Sequence, residues 1–131
     1  MQDQPAVTTF LFTDIEGSTR LWEQQPEGMR VALAHHDTLA KTAVTARHGR
    51  VVKSTGDGIH AVFGDPLDAV TAAIDMQLAL AQPGEAAGIA LRIRCGIHAG
   101  VVEQRDNDYF GSAVNQAARI MSVAHGSQVL M

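Results

Sequence analysis

Residues 50–64 read Arg50-Val51-Val52-Lys53-Ser54-Thr55-Gly56-Asp57-Gly58-Ile59-His60-Ala61-Val62-Phe63-Gly64. Two short β-branched and aromatic runs, 50–55 and 58–64, flank Gly56-Asp57-Gly58. Glycine supplies the positive φ that a tight turn needs, so the stretch predicts a β-hairpin. Upstream, residues 7–13 (VTTFLFT) have strand composition and end at Asp14. Gly17-Ser18-Thr19 then opens a helix, with Ser18 or Thr19 as its cap. Pro26 breaks that helix, and a longer one follows from Glu27 to Arg47, with Leu33, Ala40 and Val44 along one face and Gly49 closing it.

Downstream of the hairpin, Asp65 caps a helix whose first turn holds Pro66. It runs to about Ala81 and ends at Pro83-Gly84. Residues 89–98 alternate as a strand, Ser112 caps a further helix through Ser122, and 127–131 form one more strand. The order β-α-β-β-α-β, then α-β, predicts an α+β fold. Its ferredoxin-like core has an antiparallel sheet with helices on one face. In that topology the first and third strands are antiparallel neighbours. Asp14 at the end of one therefore meets Asp57 in the turn before the other.

Bulk properties narrow the function. The chain has 131 residues, enough for one domain, and is 46% hydrophobic and 18% charged, which disfavours disorder. A net charge of −4 argues against a general nucleic-acid binder but not against one bound nucleotide. Cys95 is the single cysteine, which suits a reducing cytosol and excludes a disulfide framework. No apolar run approaches the ~18–20 residues of a membrane span, and the N-terminus lacks the features of a signal peptide. The expected location is cytoplasmic, with no membrane contact by this segment.

Two carboxylates at one sheet edge repel unless protonated or bridged by a cation. Hard oxygen ligands suit magnesium or manganese. The helix start at Gly17-Ser18-Thr19 adds main-chain N–H groups, and the set suits a triphosphate. Taken singly, an Asp at a strand end or in a Gly-Asp-Gly turn is ordinarily a turn former. Asn115 and Arg119 lie four apart on the helix that starts at Ser112 and share a face, where an amide and a guanidinium could hold a ribose and a phosphate, or form a solvated stripe. Arg92, Arg94 and His98 alternate with Ile93, Cys95 and Ile97, and His60 with Ile59 and Ala61. The pattern predicts one apolar sheet face under helices and one basic face that is either solvated or turned towards a partner and an anionic nucleotide. The six histidines show no metal or triad spacing and are expected at the surface or an interface.

The string Phe12-Thr13-Asp14-Ile15-Glu16-Gly17-Ser18-Thr19 resembles the opening of class III nucleotidyl cyclase catalytic domains. Lys53-Ser54-Thr55-Gly56-Asp57-Gly58, Asp108-Tyr109-Phe110-Gly111 and Val114-Asn115-Gln116-Ala117-Ala118-Arg119 follow in the order and spacing of that family. The resemblance runs from about Thr8 to the C-terminus. It implies that Asp14 and Asp57, with the Ile15 carbonyl, bind two divalent ions, Mg2+ or Mn2+. It implies that Lys53 and Asp108 read the purine, Asn115 orients the ribose and Arg119 stabilises the transition state. It implies a homodimer in which the metal pair of one subunit faces the purine and Asn/Arg residues of the other. The family's domain usually continues past the equivalent of Met131, so the resemblance implies a C-terminally short domain.

The activity so implied is an adenylate cyclase making 3′,5′-cyclic AMP from ATP. A lysine can donate to an adenine ring nitrogen and an aspartate can accept from its amino group. Guanine reverses that pattern. The alternatives are a guanylate cyclase and a non-catalytic nucleotide-sensing module of the same fold.

Overall fold

The structure is a computed structural model and describes residues 6–82, 89–105, 108–110, 112–124, 126 and 128–131; the side chains of 6, 102–105, 108–110, 112 and 113 lie outside that description. The elements are β1 (Ala6–Ile15), α1 (Ser18–Gln24), α2 (Pro26–Ala46), β2 (Arg50–Ser54), β3 (Ile59–Phe63), α3 (Pro66–Leu80), β4 (Ile93–Arg105), β5 (Asp108–Phe110), α4 (Ser112–Ser122) and β6 (Gln128–Leu130). The sheet order is β2-β3-β1-β4-β5, with β6 beside β4. β1 is antiparallel to both β3 and β4. The free edge of β4 serves two partners, β5 antiparallel at 103–105 and β6 parallel at 94–96.

This is the expected α+β architecture, with the core helices on one sheet face. Leu11 and Ile15 of β1, Ile59, Ala61 and Phe63 of β3, and Ile93, Cys95 and Ile97 of β4 form the floor of the main core. Met29, Ala32, Ala40 and Val44 of α2 and Ala69, Ala72, Ala73 and Met76 of α3 cover it. The run of alanines gives α3 a flat surface that lets it lie close. Asp65 caps α3 as expected, accepting from the Leu67 N–H at 2.9 Å.

Four expectations need correction. The strand foreseen over 89–98 begins at Ile93 and runs on to Arg105. Neither Ser18 nor Thr19 caps α1; Gly17 is the N-cap, at φ 72°. The second sheet face is not simply basic. Phe10, Phe12 and Val62 form a smaller apolar cluster there with Ala117 of α4. Finally, His36 on α2 is fully buried, its Nδ1 3.0 Å from Asp37 Oδ1.

The seat of α4 depends on Gly96. A Cβ there would stand 2.7 Å from the Ala117 carbonyl oxygen and from Met121 Cα. Only a residue without a side chain lets this helix lie directly on β4.

Candidate active site

The end of β1 is stitched to the 55–58 turn. Ile15 N–H donates to the Asp57 carbonyl at 2.7 Å, and the Thr13 hydroxyl accepts from Ile59 N–H at 3.1 Å. A Cβ on Gly58 would fall 2.8 Å from Asp14 Cα, so this close approach needs glycine. The positive φ of the turn sits at Gly56 (91°). Asp14 and Asp57 are thereby brought together, both half-buried. Ser18, at the start of α1, turns its hydroxyl onto Asp57 Oδ2 at 3.1 Å. That bond fixes the carboxylate and commits the Ser18 side chain to the protein; Thr19 is exposed.

Across the strand pair, Asp14 is in register with Arg94. The Arg94 guanidinium grips the carboxylate with two N–H groups, Nε to Oδ1 at 2.6 Å and Nη2 to Oδ2. The hydrogen bond to Asp14 holds the guanidinium above its ordinary pKa. Partial burial opposes it, and the charges of Asp14, Glu16 and Asp57 reinforce it. Arg94 is thus a counter-cation for an acidic cluster. Sequence alternation placed it only on a polar face, because no local pattern reveals a cross-strand register.

Among the described residues, no three His, Cys, Asp or Glu side chains form a metal cage. The pair Asp14/Asp57 nevertheless fits hard divalent cations. Magnesium is usually held by one or two carboxylates together with substrate phosphates. The cluster already draws one cation, the Arg94 guanidinium, onto the carboxylate.

A separate cavity of about 240 Å³ opens on the second sheet face. Phe10, Phe12, Val52, Lys53 and His60 line it from the strands. Val114, Asn115 and Ala118 line it from α4. Lys53 and Asn115 therefore meet at one cavity, whose lining does not include Asp14 or Asp57. Arg119 lies exposed one turn beyond Asn115, on the same side of α4 and away from the buried Ala117. Asp108 falls in β5, paired with Arg105; its side chain lies outside the described residues.

The whole chain, residues 1–131, matches the adenylate and guanylate cyclase catalytic domain family, and the protein belongs to that family. An uncharacterised protein of Mycobacterium tuberculosis is 38% identical over 125 residues, which are 94% of this chain and 41% of the relative. The chain thus spans about two fifths of that relative's length. A solved adenylate cyclase structure from Trypanosoma brucei superposes with a TM-score of 0.87 at 28% identity, covering 98% of this chain and 75% of the other. The guanylyl cyclase Cya2 superposes at 0.85 with 26% identity, covering 99% and 77%. No helix among the described residues is long and apolar enough to cross a membrane.

Proposed function

We propose that this domain is an adenylate cyclase, converting ATP to 3′,5′-cyclic AMP and pyrophosphate at a homodimer interface with two divalent ions, Mg2+ or Mn2+. The observation that carries the reading is the convergence of Asp14 and Asp57 through the Ile15–Asp57 main-chain bond. Asp14, Asp57 and the Ile15 carbonyl would hold the ions. Bound there, divalent cations make the ribose 3′-hydroxyl a better nucleophile and neutralise polyphosphate charge.

The chain's own residues position and stabilise. Main-chain N–H groups at Gly17, Ser18 and Thr19 face the phosphates. Lys53 and Asp108 donate to and accept from the adenine edge, and Asn115 orients the ribose. The 3′-oxygen bonds to the α-phosphorus as the bond to the α,β-bridging oxygen breaks. Pyrophosphate leaves, and the hydroxyl proton passes to solvent. Arg119, a fixed cation, acts where negative charge grows. The separation of the Lys53/Asn115 cavity from the Asp14/Asp57 pair supports a site assembled from two chains. The reading places the domain in the cytoplasm, with ATP and a second copy as partners and no nucleic acid or membrane.

A guanylate cyclase is the second reading, favoured by the likeness to Cya2. The third is a nucleotide-sensing module without turnover. Purified protein incubated with Mn2+ and either ATP or GTP separates all three. The proposal expects cyclic AMP to dominate, and Asp14→Ala or Asp57→Ala to lower its formation at least ~100-fold. Dominant cyclic GMP would establish the second reading. The third would follow if nucleotide bound without any cyclic product.

A further inference from the structure

Lys53 and Asn115 account for two polar groups of the cavity on the second sheet face. His60, which lines the same cavity, has no part in the cyclase scheme above. Its ring lies flat on Phe12, with centroids 3.8 Å apart and planes 7° from parallel. Phe12 is buried in the apolar cluster with Phe10, Val62 and Ala117, so the imidazole is backed by a packed core side chain. His60 itself is half-buried and lines the cavity.

Register adds direction to this wall. His60 pairs with Phe12 on one side and with Lys53 on the other. Direct cross-strand partners project from the same sheet face with Cβ atoms roughly 4.5–5.5 Å apart. The Lys53 stem therefore rises beside the imidazole, where its ammonium can meet the edge of a flat group lying on the ring. A cavity of about 240 Å³ is smaller than the ~300–1,000 Å³ usual for whole drug-sized ligands. It suits one planar part of a nucleotide.

We infer that His60, clamped on Phe12, is the stacking platform for the purine ring, a binding residue that sets nucleotide affinity while leaving the choice of base to Lys53 and Asp108. This rests on the cyclase reading of the cavity. Every base has a π face, so stacking on an aromatic side chain is tolerant of base identity. Edge hydrogen bonds are not.

The test compares His60→Leu, which keeps bulk and loses the π face, with His60→Phe, which keeps both. Competition of unlabelled ATP and GTP against a fluorescent ATP analogue gives affinities, and steady-state assays give KM and kcat. His60→Leu should weaken ATP and GTP alike by about tenfold, with KM raised and kcat little changed. His60→Phe should stay near wild type. Lys53→Ala should instead change the ATP-to-GTP ratio. Equal nucleotide affinity in wild type and a folded His60→Leu would overturn the platform, as would a shifted base preference in that variant. Failure of His60→Phe to restore binding would also overturn it. A wild-type protein that binds no purine nucleotide would sink the cyclase reading itself, which separates the two failures.

Discussion

Asp14 and Arg94 face each other directly across neighbouring antiparallel strands, and the guanidinium of one binds both carboxylate oxygens of the other. The pair sits beside Asp57 and Glu16, whose charges also act on Arg94. Arg94 thus balances the acidic cluster that divalent ions would otherwise neutralise.

Replacing Arg94 by glutamine should therefore leave Asp14 without its counter-charge. Stability without metal should fall by about 1–3 kcal/mol, the ordinary cost of unpairing a part-buried charged hydrogen bond. Added Mn2+ should stabilise the variant more than the wild type, because the ion no longer competes with a guanidinium for Asp14. Thermal unfolding with and without Mn2+ measures both effects. Equal Mn2+ shifts in the two proteins would contradict the competition.

Gly96 seats α4, which carries Asn115 and Arg119. Gly96→Ala would force the helix away from β4, with a loss of about 1–3 kcal/mol from overpacking. Displacing Asn115 and Arg119 by about 1 Å should lower kcat roughly 100-fold. Gly64→Ala is the control, since a Cβ there meets nothing within 4 Å. Denaturant midpoints and turnover of the two variants check the contrast.

Cys95 lies in the main core, fully buried. Burial pushes its thiol from an ordinary 9.0 up to about 12; the Gln77 amide opposes this and the Asp14 charge adds to it. Between those values the unfolded chain releases the thiol proton while the folded chain keeps it. The contribution is complete below about pH 9 and falls as pH rises towards 12, by about 1.4 kcal/mol per pH unit. The stability difference between wild type and Cys95→Ala should thus move by about 2 kcal/mol between pH 8 and pH 10.5, against the wild type. Urea denaturation at both pH values tests it; parallel changes in the two proteins would contradict the shift.

The hairpin at 50–64, the capped start of α3 and the meeting of Asp14 with Asp57 were legible because each rests on local chemistry plus one topological rule. Glycines mark a turn, Asp65-Pro66 marks a helix start, and βαββαβ order puts the first strand beside the third. Arg94 was not legible as the partner of Asp14, since their register is set by strand pairing over a long sequence distance. Strand alternation marks His60 only as a polar residue between Ile59 and Ala61. Its stack on Phe12 depends on the apolar cluster beneath α4, and a period of two cannot show which helix covers a sheet face. Ser18 had the composition of a cap. Its hydroxyl goes instead to Asp57, because Gly17 takes the cap position and the folded turn brings a carboxylate within reach.

In the proposed cyclase, the Asp14/Asp57 pair of one chain works on a nucleotide held by Lys53, Asn115 and Arg119 of another. Asp57→Ala and Arg119→Ala each damage both sites of a homodimer. In a mixed dimer one site collects both lesions and the other collects neither, as two-fold symmetry requires. Equal amounts of the two inactive proteins should therefore be mixed under conditions of subunit exchange and assayed for cyclic AMP from Mn2+ and ATP. Random exchange makes about half the dimers mixed, so activity should recover to about a quarter of wild type. A mixture that exchanges subunits freely and stays inactive would contradict the shared site.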